Sequence, residues 1–410
     1  MLQRDYPLIL FNLLVSIEWD ATEAYVEQIA RAVMLASNHL FDLTDGQMAF
    51  GNVEIYADGQ HWADADIQVS TKNIVRPHAY VGGLLEEDTA HIIRIGRGWD
   101  GQTGNSGAWD RPEGYRTLIH EFSHYALYLY DEYVAYEFDE NGNVLGEVPA
   151  VCPVSSEDAV DDEAIRASAM YDGYRATELS AQGVPGLWSV ACEETLQYQY
   201  TGQSAWETLA DAYADRTDPP RWRIVSPMAR QTVLAGPNGL PDALPDWPTV
   251  TVHRGENPEP PRMLTVLDPA DQPVSNAIVA LYRQSGVQVI GQGLTDGAGQ
   301  LAVFGANVGD MVRAATFDGG YAGDAYIGPA AELIVKLAPV VEGPQRNVAY
   351  GADRAIPHMR VIAEPSVEAG QIDLLLSLYN FSPNADLGIS ISEPGDGADY
   401  SPVLGLSLIH

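Results

Sequence analysis

The chain has 410 residues and a net charge of −35, with Lys72 and Lys336 as its only lysines. That length exceeds one ordinary core and predicts two or three domains, while 46% hydrophobic and 9% aromatic residues exclude a disordered chain. So acidic a surface repels phosphate backbones and excludes nucleic acid as a partner.

Only Cys152 and Cys192 are present. They are too few and too far apart for a cysteine zinc cluster, which needs closely spaced pairs. One disulfide in an exported protein and two buried thiols both fit them. No stretch reaches the ~20 apolar residues of a membrane span. The opening run PLILFNLLVSIEW reads as a buried first strand rather than a signal peptide, because it follows no basic cluster and lacks a small-residue cleavage site.

In chain order, a strand is expected at Phe11–Trp19. DATE follows, with Asp20 and Glu23 spaced as a capping box for a helix. Val26, Ile29, Val33, Leu40 and Phe41 recur at helical steps and make that helix long and amphipathic. Strands are predicted at Asn52–Ala57, Ala65–Ser70 and His91–Gly96. A Gly-rich loop leads to Pro112 and Glu113, which suit the first turn of another helix. This order predicts an α/β (α+β) domain over 1–218, with a mixed sheet and a histidine-bearing helix beneath it. Short helices are expected near Glu163–Ala167 and Ser204–Tyr213.

Prolines cluster over 219–261 and mark a connecting segment, with TVTVH as a strand within it. From 262 to 340 the pattern is all-β. Short strands between Gly/Asp turns (MLTVLD, AIVALYR, VQVIGQG, GQLAVF, DMVRAATF, AELIVKL) suggest a small β-sandwich. HMRVIAEP, IDLLLSLYN and LGISISEP begin another β module over 341–405. The final LSLIH, 406–410, is what the sequencing adaptor CTGTCTCTTATACAC encodes in frame, and it is expected to be an artefact that cuts the gene short.

The chemistry concentrates in TLIHEFSHYALYLYDEY, Thr117–Tyr133. Residues four apart share a helix face, so His120 and His124 can offer two imidazoles to one ion. Glu121 sits beside them, placed to act on a zinc-bound water as general base. A bare HExxH recurs by chance, and a lone buried histidine is commonly just hydrogen-bonded. A pair at this spacing with an intervening Glu, among uncharged residues that pack a helix into a core, favours metal. Catalytic zinc usually takes a third protein ligand. Asp131 would lie ~10 Å beyond His124 on a straight helix, so the chain must bend between them. No glycine is there to ease a left-handed bend, and Glu132 and Glu137 are alternatives to Asp131. Met170, among small residues in ASAMYDGY, is a candidate floor beneath the metal. Tyr171 or Tyr174 could steady an oxyanion. Acidic DENGN, 139–143, is a surface turn or a weak Ca2+ loop.

Four stretches in order carry a family resemblance: ASNHLFDLTDGQMAFGNVEIY with ADIQV, HEFSHYALYLYDEY, ASAMY and QSAWETL. Over roughly Phe11–Asp215 the chain resembles the zincin-type peptidase domain of the calcium-activated chloride channel regulator (CLCA) family and its bacterial relatives. The DEY after HExxH is the most specific piece, since metzincins place a histidine after a glycine there. The resemblance implies zinc held by His120, His124 and Asp131, with Glu121 as base. It also implies a secreted or surface endopeptidase acting on protein or peptide substrates, itself included. The chain departs from the family in having Tyr128 where a glycine is typical, Ser123 where bacterial relatives often have one, and only two cysteines. No von Willebrand type A domain follows Asp215. The β modules look like carboxypeptidase-regulatory or Ig-like modules of surface proteins, suited to binding cell-surface components. The competing reading is a non-catalytic adhesion protein with the zincin domain as scaffold.

Overall fold

A computed structural model describes residues 8–83, 92–100, 107–139, 141–152, 168–174, 176, 178–184, 186–214, 224–225, 248–256, 258–284, 289–329 and 332–340, with the backbone of four later strands. Strand β1 (Ile9–Ile17) leads through helix α1 (Glu23–Leu43) to β2 (Met48–Tyr56), β3 (Ile67–Ser70) and β4 (Ile93–Gly96). Helix α2 (Pro112–Leu127), the hairpin β5 (Val134–Phe138) and β6 (Val144–Pro149), and helices α3 (Leu196–Thr201) and α4 (Ala205–Ala212) follow. The helix expected at Glu163–Ala167 lies outside the described residues.

Strand β7 (Thr249–His253), drawn from the Pro-rich segment, completes a sheet of order β4-β3-β1-β2-β7. All four pairings are parallel. The mixed sheet expected from the sequence is thus a parallel one, because β1 reaches β2 by an α1 crossover rather than a hairpin. An isolated antiparallel bridge, His78 to Arg94, borders its β4 edge. The capping box is also corrected. Thr22, not Asp20, precedes α1, and no side chain caps it. Asp20 instead packs against Gly255, where an added Cβ would overlap its carboxylate.

Helix α2 is wedged under the sheet by Phe122, whose ring meets Phe11 of β1 at 5.1 Å and Phe50 of β2 at 4.9 Å, both edge-on. Pro112 fills its first turn, where a missing N–H costs nothing. Gly114 is required there: a Cβ would sit 2.6 Å from the Trp109 carbonyl.

The second unit is two sheets around a separate core of Leu264, Val266, Val279, Leu281, Val303, Val312 and Val335. Its strands are β8 (Arg262–Leu267), β9 (Ile278–Tyr282), β10 (Val289–Leu294), β11 (Gln300–Val303), β12 (Met311–Ala315), β13 (Tyr321–Tyr326), β14 (Glu332–Lys336) and β15 (Ala338–Pro339). One sheet runs β10-β9-β12-β13-β15 and the other β11-β8-β14. Beyond them, β16 (His358–Pro365) pairs antiparallel with β17 (Ile372–Tyr379), and β18 (Gly388–Ser390) with β19 (Gly405–Ser407).

Candidate metal centre

His120 and His124 both point their Nε2 atoms at Asp131 Oδ1, at 3.2 and 3.3 Å. One ligand atom from each residue lies within 4.8 Å of the others. The bend that brings Asp131 back is made at Tyr128, which takes left-handed backbone angles, φ 62° and ψ 27°. For a non-glycine residue this costs about 1–2 kcal/mol, so the surroundings must hold it. The Tyr128 and Leu129 N–H groups both return to the Ser123 carbonyl. The carbonyl of His124 accepts from Gly82 N–H at 2.9 Å, and that of Ala126 from the Tyr213 hydroxyl at 2.6 Å. Three of the helix's last carbonyls are thereby satisfied. The Tyr128 ring packs on Gly82, where a Cβ would lie 3.3 Å from it.

Beyond the bend, hydrogen bonds fix the backbone on both sides of Asp131. Tyr130 N–H donates to Gln197 Oε1 at 2.8 Å, Asp131 C=O accepts from Gln197 N–H at 3.2 Å, and Glu132 N–H donates to Met170 C=O at 2.9 Å. Gln197 is fully buried and donates its amide to Thr208 Oγ1 at 2.7 Å. Glu132 is not among the converging ligands and accepts from the Ser180 hydroxyl. Burial first, and the nearby Asp131 charge, lift its pKa to about 7. Glu137 lies exposed on the hairpin, so neither alternative joins the cluster.

The outer ring nitrogens decide what the inner ones can do. His120 Nδ1 meets the Ala169 carbonyl at 3.0 Å, and His124 Nδ1 meets the Leu129 carbonyl at 2.6 Å. A carbonyl only accepts, so each Nδ1 carries the proton and each neutral ring presents an Nε2 lone pair. Asp131 Oδ1 is buried and has no hydrogen-bond partner. Two lone pairs and a carboxylate oxygen facing one another call for a cation between them, and this donor set fits one. Protonation is the metal-free answer. Burial works to lower the pKa of His120, but the Asp131 hydrogen bond and the Glu121 and Asp131 charges carry it up to about 9. His124 is raised too, against its burial, chiefly by the Asp131 charge. Burial would raise Asp131, yet the two imidazoles hold it far below the usual carboxylate range.

Of these residues His120 lines a cleft of about 430 Å³, together with Glu121, Tyr133, Arg76, Pro77, Trp99, Asp100, Thr117, Tyr171, Gly173 and Tyr174. Glu121 is 7% exposed. Burial pushes its pKa up, while His120, His124 and His78 pull it down. The Met170 side chain is fully buried in the main core, and the turn around it acts through its backbone. Ala169 C=O holds His120, Met170 C=O holds the residue after Asp131, and Gly173 approaches so closely that a Cβ would lie 3.1 Å from the His120 ring. Tyr171 and Tyr174 line the cleft as expected. Tyr133, the last residue of the DEY motif and given no role of its own from the sequence, stacks over His120 at 6.2 Å, and burial and the Asp131 charge raise its pKa. Gln197 was likewise missed, since nothing in its local sequence distinguishes it. Arg76 and Trp99 could be found only by knowing which loops flank β4.

Cys152 and Cys192 are joined in a disulfide, with sulfurs 2.05 Å apart. In the 139–143 turn, Asp139 Oδ1 accepts from the N–H groups of Asn141 and Asn143, and Oδ2 from the Asn143 amide. No protein-family model matches the sequence, and no curated protein matches it.

Proposed function

We propose that the chain is a zinc-dependent endopeptidase of the zincin type, related to the CLCA peptidase domains. His120, His124 and Asp131 would hold the metal, and Glu121 would serve as general base. The observation that carries this reading is the convergence of two Nε2 lone pairs and one unpartnered carboxylate oxygen beside a cleft that His120 and Glu121 line. Zinc bound there supplies a Lewis acid that polarises a peptide carbonyl and acidifies water. Glu121 takes a proton from the attacking water and delivers it to the leaving amine. Its buried, raised-pKa environment suits both halves of that task. Tyr133, through its ring against His120, and the Met170 turn, through its carbonyls, keep the ligands oriented.

The proposal includes a secreted or cell-surface location, which the disulfide supports. No helix among the described residues is long and apolar enough to cross a membrane. A buried Glu121 facing the cleft favours catalysis over an inert scaffold. The test pairs two variants, assayed on unfolded protein substrates with metal counted per chain. Glu121→Gln should keep one zinc and lose about 10²–10⁴-fold in kcat/KM. Asp131→Ala should lose zinc, by more than the about 10–100-fold in affinity typical of an outer-shell partner. One zinc in both, or none in the wild type after reconstitution, would sink the proposal.

A further inference from the structure

We propose that the β-sandwich is a working part of the cleft, and that Asn73 and Arg97 are the positioning residues through which it acts. The inference rests on the endopeptidase reading for its kinetic arm only. Asn73 is 3% exposed and makes a reciprocal pair with β10: its amide donates to Leu294 C=O at 3.0 Å, and its Oδ1 accepts from Leu294 N–H at 3.0 Å. Gly293 admits this approach, since a Cβ there would sit 1.9 Å from Asn73 Oδ1. Two residues earlier, the fully buried Thr71 donates its hydroxyl to Gly291 C=O at 2.7 Å.

Arg97, 7% exposed, donates to Ala302 C=O at 2.7 Å and lays its guanidinium 4.5 Å above the Phe304 ring. Phe304 in turn meets Trp19 of the α/β unit at 5.5 Å. From these anchors the chain runs directly into two cleft walls. Arg76 and Pro77 lie three and four residues past Asn73, and Trp99 and Asp100 lie two and three past Arg97. Trp99 then meets Tyr174 across the cleft at 5.4 Å. Buried polar groups are costly unless paired, and here the partners of both anchors come from the sandwich. In the α/β unit alone water would replace these partners, and the two walls would lose their fixed supports. Neither anchor touches the metal ligands, so their effect should fall on substrate binding rather than on the ion.

The experiment compares full-length, zinc-loaded wild type with Asn73→Ala and with Phe304→Ala, which removes the ring under Arg97 from the sandwich side. Amide exchange is read over 74–80 and 97–100 against 120–127, beside zinc per chain, KM and kcat. Loss of the two Asn73 bonds should speed exchange over 74–80 by about tenfold. Phe304→Ala should do the same over 97–100, with 120–127 and the zinc unchanged. KM should rise about three- to tenfold, with kcat within about twofold. Unchanged exchange in both walls, or a rise spread evenly over the whole chain, would overturn the proposal. Should Asn73→Ala fail to fold, Phe304→Ala decides it alone. The exchange readout needs no turnover, so an inactive wild type would refute the peptidase reading and leave this one to be judged on its own.

Discussion

The two units treat buried charge in opposite ways. In the sandwich the one buried acid is Asp310, 3% exposed among the described residues. It pairs with Arg283 at 3.1 Å and accepts the N–H groups of Gln284 and Asn307 at 2.9 Å each. Every demand it makes is met inside its own fold. The α/β unit buries Glu121, His124 and Glu132, and turns Asp131 Oδ1 inward with no donor. Charge that is buried and satisfied serves the fold. Charge that is buried and left wanting is an invitation to something outside it.

That contrast can be broken first at Asp310. If it is purely structural, Asp310→Ala should destabilise the sandwich by about 3–5 kcal/mol, by taking the nearest carboxylate from Arg283 and the acceptor from two backbone N–H groups, with zinc per chain unchanged. A loss of metal in that variant, in protein still folded, would erase the distinction between the two units. A smaller effect comes from the disulfide, which closes a span of 40 residues leading towards the cluster. Cys152→Ser with Cys192→Ser should cost about 2–4 kcal/mol, read as a lower melting transition for the α/β unit. If the sandwich transition moves equally, the units are more tightly coupled than the contrast implies.

The same division governs what could be read from the sequence. The sandwich strands were visible because half-buried strands alternate: Glu332–Lys336 runs exposed, buried, exposed, buried, exposed. β13, YAGDAY, was not, since none of its residues is fully buried and it carries no apolar rhythm. His120, Glu121 and His124 were legible because their spacing is their geometry on a helix. β7 was legible as TVTVH within the proline-rich stretch, but its place in the sheet was not, because its partner β2 lies about two hundred residues earlier. The histidine–aspartate cluster's outer supports are mostly carbonyls, of Ala169, Leu129 and Met170, and every residue has one. Their selection is tertiary and leaves no local mark.

The bend at Tyr128 shows how a local rule is overruled. A glycine would take φ 62° freely, but it would forfeit the ring packed on Gly82 and beside Tyr213, 6.3 Å between centroids. Two variants separate the terms. Tyr128→Ala loses the ring and keeps the strain, whereas Tyr128→Gly loses the ring and relieves it. Tyr128→Gly should therefore be more stable than Tyr128→Ala by about 1 kcal/mol. Equal stabilities would mean that the backbone there is not strained.

The smallest effect tests whether the site's frame carries its own electrostatic cost. Glu178 holds the Met170 turn by accepting Ala169 N–H on its carbonyl at 2.8 Å. Burial first, then the Asp45 and Asp42 carboxylates, raise its side chain from 4.5 to about 7. Below pH 4.5 it is protonated whether the chain is folded or not. Between 4.5 and 7 the unfolded chain gives up that proton first, so the fold loses stability as pH rises; above 7 the deficit is constant. Because the side chain is partly solvent-screened, the deficit should be about 1 kcal/mol rather than the full value of the shift. Glu178→Gln should thus match wild type near pH 4.5 and exceed it in thermal midpoint at pH 8. A gap of the same size at both pH values would show that Glu178 is not the group that titrates, and that the acidic neighbours are already relieved by solvent.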